Sequence, residues 1–330
     1  MGQELSTTTK KPSFFNRNWS TFYKKYSFLV SFLLLLIIAN LANPNFFRFS
    51  SINTLLVNTT LTGIIAVGMT LVIISGMIDL SVGSIVALVS GLAILVLNNT
   101  GSAWLMLIFC LVFGLILGAF NGVLISRGRL APFIATLATM SAYRSIIVQV
   151  GQGGPFIVRS DLIESFRMIA AGQLFDILPY MAIIFVVVAI GASLLLKYTK
   201  FGRYVFAVGS NEYASSLAGI NVGNTKLVIM SIVGMLSGLS AFLLCSRLTS
   251  VTAANAGVNY ELDAIAAVAI GGTSMSGGRG RILGSFLGAI MLQMIQGILI
   301  AANIPPFLTG LVKGIIIIIS VIFQRDDKKK

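Results

Sequence analysis

The sequence predicts an all-α, polytopic membrane fold of about ten transmembrane helices, and three observations carry that prediction. The 330 residues are 56% hydrophobic and only 10% charged, with a mean hydropathy of +0.95, whereas a soluble domain carries about a quarter charged residues. Strongly apolar stretches of near-spanning length recur along the chain, and a single long polar segment, Phe201 to Lys226, interrupts them. A bilayer core about 30 Å thick takes about 20 apolar residues per helix, so ten helices use about 200 residues. The length therefore suits one membrane domain, 27–323, between an N-terminal tail 1–26 and a basic tail 324–330, without room for a separate soluble domain.

The predicted spans are 27–42, 53–75, 81–97, 103–125, 132–150, 175–196, 227–246, 263–275, 283–303 and 306–323. The first follows Lys24 and Lys25 and so has the look of a secretory signal, but 39–44 reads Ala-Asn-Leu-Ala-Asn-Pro without a small-x-small cleavage site. It is therefore expected to stay as an uncleaved helix. Residues 1–13 read as a disordered tail. Ten crossings put both termini on one side. One alternating set of connections carries Lys10, Lys11, Arg17, Lys24, Lys25, Arg127, Arg129, Lys197, Lys200, Arg203, Lys226, Arg279, Arg281, Arg325 and the terminal lysines, most of the 23 basic residues. The opposite set holds Arg48, Arg159, Arg167 and Arg247. Because basic residues accumulate on the cytoplasmic side, both termini and the polar loop 197–226 are expected in the cytoplasm. Arg144 and Lys313 fall within spans.

Several function classes are excluded by composition. The net charge of +13 comes from bases at span ends, without the interleaved aromatics on which single-stranded bases stack, so nucleic acid is not expected as a partner. There is no histidine, and Cys110 and Cys245 lie in separate apolar spans without metal-ligand spacing. Of the ten acidic residues, Asp79 alone lies in a hydrophobic neighbourhood away from any long polar segment. A single aspartate is thin support for a coupling-ion site, and no carboxylate pair or nucleophile with its base can be assembled into an enzyme's active site.

Small residues recur at four-residue spacing: Gly114, Gly118 and Gly122; Gly234 and Gly238; Gly280, Gly284 and Gly288; Gly310 and Gly314. Each row lets helix backbones approach closely, either within the bundle or at a subunit interface or gate. Two breaks interrupt the helical pattern. In the first, Gly76 to Ser84, Asp79 or Ser81 can cap the next helix by accepting a hydrogen bond from a free N–H; a substrate-path or gating role for Asp79 is the alternative. The second, Ile270 to Arg281, gathers Gly271, Gly272, Thr273 and Ser274, a composition tolerated at membrane depth only inside protein or along a cavity. It is not a phosphate loop, since no strand precedes it and no Gly-Lys-Ser/Thr step follows.

In the polar segment, Ser210 or Asn211 can cap a short helix, Glu212 favours its first turn and Gly219 ends it. Such a compact amphipathic helix suits a groove on a soluble partner, although an inert surface helix would show the same pattern.

At this loop the chain resembles a known family. The steps Gly202-Arg203-Tyr204, Asn211-Glu212 and Ala218-Gly219-Ile220-Asn221-Val222 are similar to those of ribose-type sugar permeases of bacterial ATP-binding-cassette importers. So are Ile78-Asp79-Leu80-Ser81-Val82-Gly83-Ser84, the run Tyr260 to Ala267, and Gly271 through Gly284. The likeness runs from about Pro44 to Phe323, with one departure: Met77 stands where a second glycine is expected. It implies a type II importer-like permease in the bacterial cytoplasmic membrane that pairs with a second permease, most simply its own copy. Cytoplasmic ATPase subunits would dock on the loop and an extracytoplasmic binding protein would deliver a monosaccharide, ribose or a related sugar. ATP and Mg would be held by the partners, and this chain would bind no cofactor and carry no catalytic group. The resemblance implies a coupling helix from Asn211 to Leu217, with Glu212, Ala214 and Ser215 in it, Ile220 after it, and Arg203, Gly209 and Gly219 fixing its setting. Asp79, Ser81, Arg144, Gly271, Gly272, Thr273 and Ser274 become candidates for the path or gate, with helix packing equally open for Arg144. Residues 155–175 and 249–262 are expected outside, facing the binding protein. An ion-coupled carrier and a non-transporting scaffold are the alternatives.

Overall fold

The computed structural model describes residues 32–305, 308, 310–315 and 318. The helices are α1 (Phe32–Ala42), α2 (Phe49–Ile74), α3 (Val82–Thr100), α4 (Ala103–Ser126), α5 (Pro132–Val150), α6 (Ile163–Ala171), α7 (Tyr180–Tyr198), α8 (Lys200–Ser210), α9 (Glu212–Leu217), α10 (Val222–Leu248), α11 (Tyr260–Ile270) and α12 (Ile282–Ala301). Residues 310–315 are also helical. Among the described residues seven helices, α2 to α5, α7, α10 and α12, are long and apolar enough to cross a bilayer. The all-α, polytopic prediction holds, and ten helices proves approximate.

Two predicted spans are corrected. The span placed at 175–196 begins only at Tyr180, because β2 (Gln173–Leu174) and β3 (Leu178–Pro179) form a tight hairpin across Phe175 and Asp176, whose φ angles are +54° and +56°. The span placed at 263–275 is the short helix α11, which starts earlier and stops at Ile270, where Gly271 and a left-handed Gly272 (φ +80°) turn the chain. Residues 27–31 of the first predicted span, residues 306, 307, 309, 316, 317 and 319–323 of the last, and both tails lie outside the described residues.

Helix α2 is the axis of the bundle. From Thr59 to Ile74 only Thr62 escapes burial, because α7, α10, α11 and α12 pack around it. Gly63 lies against the Phe185 ring, which stacks on Phe286 at 4.4 Å and joins α7 to α12. Hydroxyls tie helices together: Thr70 and Ser285 are 2.7 Å apart, and Ser240 donates to the Leu61 carbonyl at 2.9 Å. By contrast, α4, α5 and α7 present exposed apolar faces, including Trp104, Ile108, Ile134, Val187 and Ile190, as lipid-facing helices do.

The glycine rows meet in the bundle. A methyl group at Gly114, Gly118 or Gly122 of α4 would collide with the α10 backbone at Gly234, Met230 and Leu227, and one at Gly238 would strike the Cys110 carbonyl. Gly284 and Gly288 of α12 meet Gly271 and Ala267 in the same way. Gly310 and Gly314 have nothing within 4 Å.

Buried charge is richer than the sequence reading allowed. Asp79 is not alone: Asp263 at the start of α11 is 7% exposed and receives the Lys313 ammonium at 2.6 Å, pinning the last described helical segment to α11. Removing either partner would leave an uncompensated buried charge, a loss of about 3–5 kcal/mol. On the opposite face from α8 and α9, β1 (Pro155–Ile157) pairs antiparallel with β4 (Ser250–Thr252), Phe156 opposite Val251. This joins the two segments expected to lie outside. Beside them the Arg159 guanidinium, 2.6 Å from Asp161, holds that carboxyl below its ordinary range.

Candidate coupling and translocation site

The polar segment folds into two helices, not one. Thr199 opens α8 by accepting from the Gly202 N–H at 3.1 Å, Asn211 opens α9 by accepting from Ala214 at 2.9 Å, and Asn221 opens α10 by accepting from Asn224 at 2.9 Å. Three caps in a short stretch set three helix directions, since each satisfies N–H groups that a helix start leaves free. Gly202, Val205 and Val208 form the buried side of α8, and Gly219 (φ +80°) ends the turn after α9. The cap at Asn211, the first-turn Glu212 and the stop at Gly219 follow the sequence reading; the helix α8 was not foreseen as a separate element.

The face of α9 is open. Glu212, Ala214 and Leu217 are exposed, Leu217 at 72%, and so is Tyr213 at 74%. Tyr213 was missed by the sequence reading, although an aromatic flanked by polar residues in so short a helix is a signal for a contact. Ser215 is buried and donates to the Asn211 carbonyl at 2.8 Å, so its role is internal. Ile220 is half-buried and its N–H closes the turn onto Ser215 at 3.1 Å. Glu212 is not free for a partner alone, since Lys226 of α10 meets it at 2.7 Å. Arg203 is exposed, and among the described residues no side-chain partner is found for it.

Below this face, backbones from three places touch. Gly209 near the end of α8 lies so close to the Ile74 carbonyl at the end of α2 that no Cβ fits. The same carbonyl accepts from the Gly278 N–H at 2.8 Å, and Gly277 sits against Gly76 and Gly209. Gly76, Gly277 and Gly278 all have positive φ, at +79°, +81° and +73°, a conformation that glycine adopts without the Cβ penalty. The end of α8 is thus in direct backbone contact with the second break and with the last residue of α2, and the second break in turn touches Gly76, where the first begins.

Within the first break, Asp79 is fully buried and its Oδ1 accepts from the Ser81 N–H at 2.8 Å and from the Ser81 hydroxyl at 2.7 Å. Asn121 of α4 donates to the same hydroxyl at 2.7 Å. Asp79 therefore holds the turn into α3, while Ser81, the residue before that helix, makes no side-chain cap bond itself. The Asp79 Oδ2 and Asn121 Oδ1 atoms have no partner among the described residues. In the second break Gly271 packs on Gly284, Gly272 turns the chain, Thr273 is buried with an unpartnered hydroxyl, and the Ser274 N–H donates to the Arg279 carbonyl at 3.0 Å. Arg144, midway along α5, donates to the carbonyls of Ala253 and Ala256 at 2.7 and 2.6 Å. It clamps the segment that precedes α11.

Residues 51–321 match the family described as the branched-chain amino acid transport system / permease component. The chain belongs to this family. It is 37% identical to the ribose import permease protein of Haemophilus influenzae, over 89% of this chain and 90% of that protein. It is 40% identical to the ribose import permease protein of Bacillus subtilis, over 88% and 90%. The L-arabinose transport system permease protein of Escherichia coli is 34% identical over 97% of this chain and 95% of its own. No solved structure matches the chain. The resemblance read from the motifs is borne out: this is a multi-pass permease subunit of the ATP-binding-cassette importer class.

Proposed function

We propose that this chain forms the path by which a monosaccharide, ribose or a related sugar, enters the cell across the bacterial cytoplasmic membrane. ATPase subunits dock on α9 from the cytoplasm, a binding protein delivers sugar at the β1–β4 side, and a second copy of the chain completes the path. ATP and Mg reside in the ATPase partners, and this chain contributes no catalytic group. The observation that carries the reading is the backbone junction of Gly209, Ile74 and Gly278. A push on α9 passes through α8 to the second helix break and the end of α2, and through Gly277 to Gly76 at the start of the first break; such breaks are where a helical bundle bends most easily.

The unpartnered oxygen of buried Asp79 favours an ion-coupled carrier as the second reading. The two are separated in vesicles containing the chain, its ATPase and its binding protein. Uptake of D-ribose is expected to require ATP and to survive collapse of the proton gradient. Uptake that follows the gradient without ATP would replace the importer by a secondary carrier.

A further inference from the structure

Where the N-terminal ends of two helices face α5, a cavity of about 380 Å³ opens. Ser84 in the first turn of α3, Ser141, Arg144 and Ser145 of α5, and Asn259 and Glu261 at the start of α11 supply its polar wall, and Met140 and Val258 its apolar part. Its volume lies at the low end of the range of about 300–1,000 Å³ that small-molecule sites occupy. The wall is firmly built. Gly83 and Gly257 touch backbone to backbone, leaving no space for a side chain at either, and the Arg144 clamp on Ala253 and Ala256 fixes the approach to α11. Only one Arg144 nitrogen is taken up fully by that clamp; Nη2 reaches the Gly83 carbonyl at a long 3.5 Å. The Glu261 carboxylate lies over Gly83 and forms no ion pair among the described residues.

The chemistry of the wall selects its ligand. One guanidinium and one carboxylate cancel, so the cavity has no preference for an anion or a cation. A lone carboxylate with hydroxyls and no second acid is a poor metal site. What remains is a mixture of donors and acceptors: guanidinium N–H groups, an amide, three hydroxyls and a carboxylate, with an apolar patch beside them. This suits a compact neutral molecule carrying several hydroxyl groups and a C–H face. The cavity also opens along a row of exposed small and polar residues on α5, Ala138, Ser141, Ala142, Ser145 and Gln149. Exposed Phe133 and Leu137 flank this row on one side and Ile146 on the other, and Ile134 stands at its N-terminal end. Ser141, Ser145 and Gln149 at membrane depth call for a water-filled space or protein opposite them, not lipid.

We propose that this cavity is a sugar subsite within the permease, where Glu261 accepts hydrogen bonds from sugar hydroxyls while Arg144, Ser141 and Ser145 donate to the ring and hydroxyl oxygens. The assignment rests on the sugar-import reading above. The full importer in vesicles separates the two: absence of any ATP-driven D-ribose uptake by the unaltered protein sinks that reading, whereas the subsite is judged on variants of a protein that transports. Glu261→Gln is expected to lower D-ribose uptake per ATP hydrolysed by about tenfold, the loss of a charged hydrogen bond, with ATPase turnover kept. Unchanged uptake per ATP overturns the subsite. Should Glu261→Gln fail to assemble, Ser145→Cys at the exposed rim is treated with N-ethylmaleimide. Saturating D-ribose is expected to slow the labelling while equal choline chloride does not; equal labelling with and without D-ribose, or equal protection by choline, overturns the proposal.

Discussion

Glu212 has two roles within reach, and its surroundings separate them. Its carboxylate is 60% exposed and lies 2.7 Å from the half-buried Lys226; a pair open to solvent on its acidic side contributes about 0–1 kcal/mol, and a cation at the start of α9 opposes the helix dipole by about 0.3–1 kcal/mol. The fold tolerates losses of that size, so Glu212→Lys is expected to stay in the membrane while ATPase co-purification falls. The exchange Glu212→Lys with Lys226→Glu restores the pair inside the chain. If it also restores ATPase recovery, the acid serves the loop and not the partner. Asp79 allows a similar separation. Asparagine keeps the oxygen that accepts from the Ser81 N–H and hydroxyl and removes the charge. Asp79→Asn is expected to retain substantial ATP-driven uptake, whereas loss of uptake together with loss of proton dependence would make Asp79 a coupling site.

Elements meet at glycine in this molecule, and one meeting gives a direct test of coupling. Gly209 admits no Cβ because the Ile74 carbonyl occupies the place, so Gly209→Ala must push α8 away from the end of α2 and from Gly278. Overpacking of this kind costs about 1–3 kcal/mol, which a large bundle can absorb. The expected result is a folded importer whose ATPase turns over with little sugar uptake; normal uptake per ATP would show that the junction carries no motion. The elements also show what the sequence could and could not reveal. The α9 cap and stop were legible, because Asn211, Glu212 and Gly219 act within a few residues of each other. The α4–α10 seam was legible as glycine spacing, although its partner helix was not. The short α11 and the hairpin ahead of α7 were not legible, since apolar content continues through Met275 and begins before Tyr180 while the backbone turns. The Glu261–Arg144 cavity and the Asp263–Lys313 pair join residues far apart in the chain, which local pattern does not report.

For the molecule as a whole, the two ends of the bundle agree with the partition of charge. Gly223 at the start of α10 packs beside Ser126, next to Arg127 and Arg129, and Gly209 and Gly278 bring the loops of Arg203, Arg279 and Arg281 together at the end of α2. At the other end Arg159 bonds Asn98, Arg247 bonds Asn58, and β1 pairs with β4. The basic end is expected to face the cytoplasm because translocating its lysines and arginines opposes the positive-inside bias. Ser210 and Ser160 are exposed at opposite ends, which makes them matched reporters. In right-side-out vesicles, Ser160→Cys should label with an impermeant maleimide and Ser210→Cys should not until the membrane is opened. The reverse pattern would turn the whole molecule over, placing α9 where no ATPase could reach it, and the importer mechanism would fail at this largest scale even if every local contact were right.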